Sequence, residues 1–250
     1  MLTNDDGIHS PGIRALAQRL APRANLWAAA PSQQRSGTGH GITVRETLRA
    51  RVEEMTGTQE AWSVTGLPAD CVKLALLTLL PAPVDLVISG INEGSNLGTD
   101  TLYSGTVAAA LEGAVNDLPA IAVSLVDWVG PGDFQPAAGV CLELVERWWR
   151  GELMIPPMSM LNVNVPFLPP AAIKGIRAAR LGRQKYSDAY ALVDGEGEDR
   201  HFQLSGERIA DDEDDLSLDI TLIRHGYVSV TPISADRTDH RLLAGLRDVF

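Results

Sequence analysis

The first two-thirds of the chain alternates short, β-rich apolar runs with longer stretches of helical periodicity. Few architectures accept that alternation other than βαβ units wound about a parallel sheet covered on both faces. The strand candidates are Leu26 to Ala30, Asp85 to Ser89, Ala120 to Leu125 and Leu161 to Val165. Leu26 to Ala30 is apolar throughout and Ala120 to Leu125 is broken only by Ser124, as suits central parallel strands. Between them, Ser10 and Pro11 read as an N-cap and a first-turn proline. They open a helix to about Leu20 whose apolar face is Ile13, Leu16, Ala17 and Leu20. Further helices are expected over Pro68 to Leu80, from Ser104 through Ala114, and over Ala137 to Trp149. The pattern predicts an α/β fold with a Rossmann-like three-layer α/β/α core over residues 1–168 and a mostly parallel sheet.

After Leu168 the chain turns polar and basic, interrupted by acidic stretches at Glu196–Asp199 and Asp211–Asp215 that are most simply solvated loops. Residues 169–250 therefore read as a β-rich extension or arm. It closes on a strand from Gly226 to Pro232 and a short helix near His240 to Leu246. No internal repeat or low-complexity linker divides the 250 residues, so a single domain of 1–250 is expected.

The formal net charge of −11 argues against a protein that neutralises many backbone phosphates of a nucleic acid. A phosphate ester would have to be caught at one point, by a cation and by backbone N–H groups. The two cysteines, Cys71 and Cys141, lie in apolar stretches without metal-ligand spacing and read as core thiols. The opening residues show neither a basic n-region nor an apolar h-region, and no apolar run is long enough to span a bilayer. A cytoplasmic address and no membrane partner are the expectation.

In a doubly wound sheet the ligand crevice lies outside the carboxyl ends of the strands, so polar residues just after strands carry most information. Thr3-Asn4-Asp5-Asp6-Gly7 places two carboxylates there, with a glycine that permits a tight turn. Such a pair suits a hard cation such as Mg²⁺ or Mn²⁺, although the same residues also make a good turn. The loop Pro31 to His40 is rich in hydroxyls and glycine. A second loop, Ser89 to Gly98, carries three glycines with Asn92 and Asn96 as neutral donors and acceptors. Tyr103-Ser104-Gly105-Thr106 opens a helix, where free N–H groups, two hydroxyls and the helix dipole favour an anion. Neither the P-loop pattern nor a Gly-x-Gly-x-x-Gly fingerprint follows the first strand, which removes the main support for ATPase and dinucleotide-binding readings.

Five ordered motifs resemble the SurE (stationary-phase survival) nucleotidases. They are Asn4-Asp5-Asp6-Gly7 with Ser10-Pro11-Gly12, Ala29-Ala30-Pro31 with Ser36 to His40, Pro68 to Val72, Ser89 to Asn92 through Asn96-Leu97-Gly98, and Tyr103 to Ala110. The resemblance implies one divalent cation per subunit, held by Asp5, Asp6, Ser36 and Asn92. Asn96, Ser104, Gly105 and Thr106 match family positions around the bound phosphate. It implies hydrolysis of nucleoside 5′- and 3′-monophosphates, sometimes of short polyphosphate, and a homodimer or homotetramer formed by exchange of the C-terminal arm. Departures from the family are that only three residues precede Asn4, so the first strand is expected to be short, and that Leu67 stands where a threonine is usual. Asp5 and Asp6 are the expected catalytic pair, with a cation-activated water as nucleophile or, alternatively, a covalent aspartyl-phosphate. His40 reads as a structural residue or as a general acid. Rival readings are a non-catalytic nucleotide or metal sensor and a nucleotide-sugar transferase.

Overall fold

A computed structural model describes all residues except 127–132, 185, 188, 196–198, 207–208, 210–213, 248 and 250, and of residue 189 only the backbone. The chain begins with β1 (Leu2–Thr3), α1 (Pro11–Leu20) and β2 (Trp27–Pro31), then β3 (Ala50–Glu53), β4 (Glu60–Val64) and α2 (Pro68–Leu74). It continues through β5 (Val87–Glu93), α3 (Gly105–Val115), β6 (Ala120–Val126), α4 (Gln135–Trp149) and β7 (Ser159–Pro166). The extension holds β8 (Ile176–Ala178), β9 (Ala189–Asp194), β10 (His201–Ser205), α5 (Asp219–Arg224), β11 (Val228–Ser234) and α6 (His240–Arg247).

Among the described residues the main sheet runs β3-β4-β2-β1-β5-β6-β7-β11-β8. The six strands from β4 to β7 in this order are mutually parallel. From β1 the chain moves outward first to β2 and later, on the other side, to β5, so the order reverses between β1 and β5. That reversal opens a crevice at their carboxyl ends.

Strand alternation divides the core in two. Ile121, Val123 and Leu125 of β6 pack with Ile13 and Leu16 of α1 and with Ala138 and Leu144 of α4. Ala120 and Ala122 face the opposite side, with Val72 of α2 and Val107 and Ala110 of α3. The predicted three layers are therefore present, large side chains serving one face and small ones the other. The small residues have a use: α3 is buried from Gly105 to Ala114 and lies so close to the sheet that a Cβ on Gly113 would stand 2.9 Å from Val87 Cβ.

The short first strand is hydrogen-bonded on both sides all the same, Leu2 pairing with Ala28 and with Ile88. The helix expected over Pro68 to Leu80 is α-helical only to Leu74 and continues as a π-helical turn over Ala75–Leu79. β3 and β4 lay outside the sequence expectations. Their Glu, Arg and Ser residues dilute the apolar signal, and β3 is an exposed edge. In the extension β9 and β10 form an antiparallel hairpin apart from the main sheet, its apolar side chains exposed. Of the two acidic stretches, residues 196–198 and 211–213 lie outside the described part; Asp199 and Asp214 are exposed. Cys71 and Cys141 are free and buried, as core thiols should be. Trp148 packs against the core and Trp149 is exposed. No helix among the described residues is long and apolar enough to cross a membrane.

Candidate functional site

The site begins with the turn after β1. Asn4 is fully buried and spends its side chain on that turn, donating to the Gly7 carbonyl (2.9 Å) and Ser10 Oγ (2.7 Å) and accepting from the Gly7 amide (3.2 Å). Gly7 completes it at φ 101°, a conformation other residues rarely adopt. Asp5 and Asp6 are thereby set at the switch point of the sheet.

Asp5 points to the first turn of α3, where the Thr106 hydroxyl donates to its Oδ1 and the Thr106 amide adds to the same carboxylate. The anion received by that helix N-terminus in this structure is thus Asp5 itself. Gly105 makes the approach possible, because a Cβ there would stand 2.8 Å from Asp5 Cβ. Asp6 faces the other way and accepts from the Glu93 amide at the end of β5 (3.0 Å) and from Gln34 Nε2 (3.4 Å). An open cavity of about 290 Å³ beside Asp6 is lined by His9, Ser10, Gln33, Gln34 and Glu93 among others.

Burial pushes the Asp5 carboxyl up to about 6 against the Thr106 bonds, and the neighbouring Asp6 charge adds to the rise. Burial also raises Asp6, opposed by the Glu93 amide and Gln34. Glu93 is raised by burial and then by Asp6. Among the described residues no cation contributes to either aspartate and no ion pair engages them. Two crowded carboxylates without a counter-charge, bordered by amide and hydroxyl oxygens, form a donor set that fits a hard divalent cation. Among the described residues no group of three or more His, Cys, Asp or Glu side chains is placed to hold a metal, so the remaining ligands would be neutral oxygens.

The other expected ligands are distributed around the pair. Asn92 precedes Glu93, whose amide holds Asp6, and its own Nδ2 donates to the Gly94 carbonyl (2.9 Å). Ser36 is exposed on the loop after β2, one residue beyond Arg35, whose amide donates to the Asp5 carbonyl (2.8 Å). Of the expected phosphate-binding residues, Ser104 is the N-cap of α3, accepting from the Val107 amide (3.1 Å). Asn96 locks the loop after β5. Its Nδ2 donates to Ser124 (2.8 Å), its amide to Asn164 Oδ1 (2.9 Å), and its carbonyl accepts from Asn162 and Asn164.

Several supporting residues escaped the sequence reading. Asp70 accepts from the amide and hydroxyl of Thr43 and from the Leu67 amide, which ties the segment after β2 to α2 despite the missing threonine at position 67. Asp219, fully buried, accepts from the amides of Gly98, Gly182 and Ile220, joining the arm's root to the loop after β5. Glu112 accepts from His40 (3.0 Å) and Lys73 (2.9 Å). Burial alone would raise its carboxyl, but these bonds outweigh it and hold it below its ordinary value. The only available signal was polar residues inside apolar helices. His201, His225 and His240 each sit beside an aspartate.

Comparison with known proteins follows the same outline. The sequence model of the family described as "Survival protein SurE" matches residues 1–188. A protein named "5'-nucleotidase SurE" from Syntrophomonas wolfei is 41% identical over 250 residues, covering 100% of this chain and 94% of the relative. One of the same name from Symbiobacterium thermophilum is 44% identical, covering 99% and 96%. The crystal structure of the SurE protein from Aquifex aeolicus superposes with a TM-score of 0.83 at 35% identity, covering 99% of this chain and 98% of that one. Agreement in motif order, sheet architecture and whole-length sequence leads to one assignment: the chain belongs to the SurE family.

Proposed function

We propose that the chain is a divalent-cation-dependent phosphomonoesterase that hydrolyses nucleoside 5′- and 3′-monophosphates to nucleoside and inorganic phosphate, with short polyphosphate as a further substrate. Membership in a family whose relatives carry the name 5'-nucleotidase supports nucleoside monophosphate hydrolysis. The observation that carries the cation requirement is the Asp5–Asp6 pair at the switch point of the sheet, Asp5 buried and Asp6 half-buried, which meets no protein cation among the described residues.

In this reading Asp5, Asp6, Ser36 and Asn92 hold Mg²⁺ or Mn²⁺, one per subunit. When bound, the cation offsets charge on the phosphoryl group and makes nearby water more acidic. Asp6 lies beside the open cavity and would take a proton from the attacking water as the P–O bond to the nucleoside breaks, while the departing oxygen would take its proton from solvent water that enters the cavity. Ser104, Gly105 and Thr106, at the first turn of α3, border the phosphate in this reading, Thr106 acting by holding Asp5 and Ser104 by capping the helix. Asn96 acts by holding the neighbouring loop. A homodimer or homotetramer joined through the exposed β9–β10 hairpin belongs to the same reading, as does a cytoplasmic address, which suits two reduced, buried cysteines.

Inorganic phosphate release from a panel of nucleoside monophosphates with Mg²⁺, Mn²⁺ or EDTA, comparing the wild type with Asp6→Asn, tests it. Cation-dependent release that disappears in Asp6→Asn supports the assignment. Metal binding without release from any substrate would replace it with a sensor.

A further inference from the structure

Glu112 lies in the last turn of α3 and is 4% exposed. A carboxylate at such a place is costly unless it is paired. Three donors meet it from three elements. Lys73 Nζ comes from α2 (2.9 Å), Asn116 Nδ2 from the end of α3 (3.2 Å), and His40 Nε2 from the loop after β2 (3.0 Å). Lys73 would suffice for the charge, so the imidazole calls for another explanation.

Tracing that loop supplies one. The Arg35 amide is fastened to the Asp5 carbonyl (2.8 Å), the Thr38 hydroxyl donates back to the Arg35 carbonyl (3.1 Å), and the Gly39 amide donates to the Tyr103 carbonyl (2.9 Å). His40 then closes the span on Glu112. Residues 35–40 thus form a strap between the end of β1 and helix α3, the two elements that carry Asp5 and its partner Thr106. Ser36 is exposed within the span, so its place relative to Asp5 depends on the fastenings at both ends.

We infer that His40 is a positioning residue: through Glu112 it latches the 35–40 strap to α3 and fixes where Ser36 stands relative to the Asp5–Asp6 pair. The inference rests on the cation-binding role proposed for Ser36. It differs from a proton-donor role for His40. Glu112 is six residues beyond Thr106, about 9 Å along the helix axis at 1.5 Å per residue. An imidazole engaged there is more than a helical turn removed from the side chain that holds Asp5.

The test uses the full-length protein, with Mn²⁺ alone as the ligand probe, in the variants His40→Ala, His40→Gln and Glu112→Gln. Mn²⁺ affinity is read calorimetrically without substrate, and strap release is read as tryptic cleavage after Arg35 in EDTA, located by mass spectrometry. We expect His40→Ala to weaken Mn²⁺ binding by about tenfold to a hundredfold, the range for partners that orient ligands. Cleavage after Arg35 should accelerate, and His40→Gln, which keeps a donor, should recover most of both losses. With Mn²⁺ raised to saturation, kcat should fall much less than the affinity did. Wild-type Mn²⁺ affinity and wild-type cleavage in His40→Ala would overturn the latch. So would intact Mn²⁺ binding with a collapsed kcat and an altered pH profile, which would make His40 a proton donor. Should His40→Ala fail to fold, His40→Gln and Glu112→Gln decide on the same readouts. A wild type that binds Mn²⁺ through the latch but releases no phosphate removes the nucleotidase reading and leaves the latch standing.

Discussion

Replacing Asp5 with asparagine should stabilise the cation-free fold while removing its capacity to bind a cation. The Asp5 carboxyl is pushed up to about 6 from an ordinary 3.8, a rise of about 2 pH units. At about 1.36 kcal/mol per unit, keeping it ionised in the fold costs about 3 kcal/mol. The sign follows from proton binding. The native state holds its proton more tightly than the unfolded chain, so stability is lost as pH climbs from about 4 to about 6, and the whole cost is present above that. Asparagine never ionises, yet its carbonyl oxygen still accepts from the Thr106 hydroxyl and amide that Asp5 engages. In EDTA at pH 7.5, Asp5→Asn should therefore unfold later, by roughly 6–12 °C at about 2–4 °C per kcal/mol for a chain of this length. The two proteins should converge below pH 4. Adding Mn²⁺ at about a hundred times its dissociation constant should raise the wild type by about 2.7 kcal/mol and leave Asp5→Asn unchanged. Thermal and urea unfolding across this pH range make the measurement. A variant less stable than wild type in EDTA at pH 7.5, or a difference that does not change with pH, would refute the reasoning.

Gly105→Ala would press a methyl group to within 2.8 Å of Asp5 Cβ, so phosphate release should fall at least about tenfold and urea unfolding should register a loss of about 1–3 kcal/mol from overpacking. Asp219→Ala strands the Gly98, Gly182 and Ile220 amides; at about 1–3 kcal/mol for each unsatisfied buried donor, thermal unfolding should show a loss of several kcal/mol. On the hairpin, Phe202 and Leu204 are 55% and 63% exposed, and changing both to serine should shift light scattering towards the monomer while leaving Tm within about 2 °C of wild type at equal protein concentration.

Much of this protein is legible in its sequence because the relevant signals are local. Ser10-Pro11 and the spacing of Ile13, Leu16, Ala17 and Leu20 define α1, and those four apolar residues are all buried. The run from Ala120 becomes β6, apolar but for Ser124 because a central strand is covered on both faces, and Leu161 to Val165 becomes β7, whose Val163 and Val165 pack in the core while Asn162 and Asn164 bond the Asn96 carbonyl. The Asn4 to Gly7 turn is local too: its hydrogen bonds span at most six residues. Other features depend on partners far away in the chain. β3 and β4 are polar enough to read as loop and become strands because β4 completes the parallel sheet against β2. Residues expected at a phosphate are committed elsewhere, Asn96 to side chains 28 and 68 positions away and Thr106 to an aspartate 101 positions away. His40, Lys73 and Glu112 become one cluster only when the loop after β2, α2 and α3 pack together. Sequence alone thus determined the layered α/β plan and the presence of two adjacent carboxylates at a strand end, since periodicity and turn chemistry are short-range. Only the tertiary structure decided that Asp5 is buried against a helix N-terminus while Asp6 faces an open cavity. Burial and hydrogen-bond partners are set by long-range packing that no local pattern encodes.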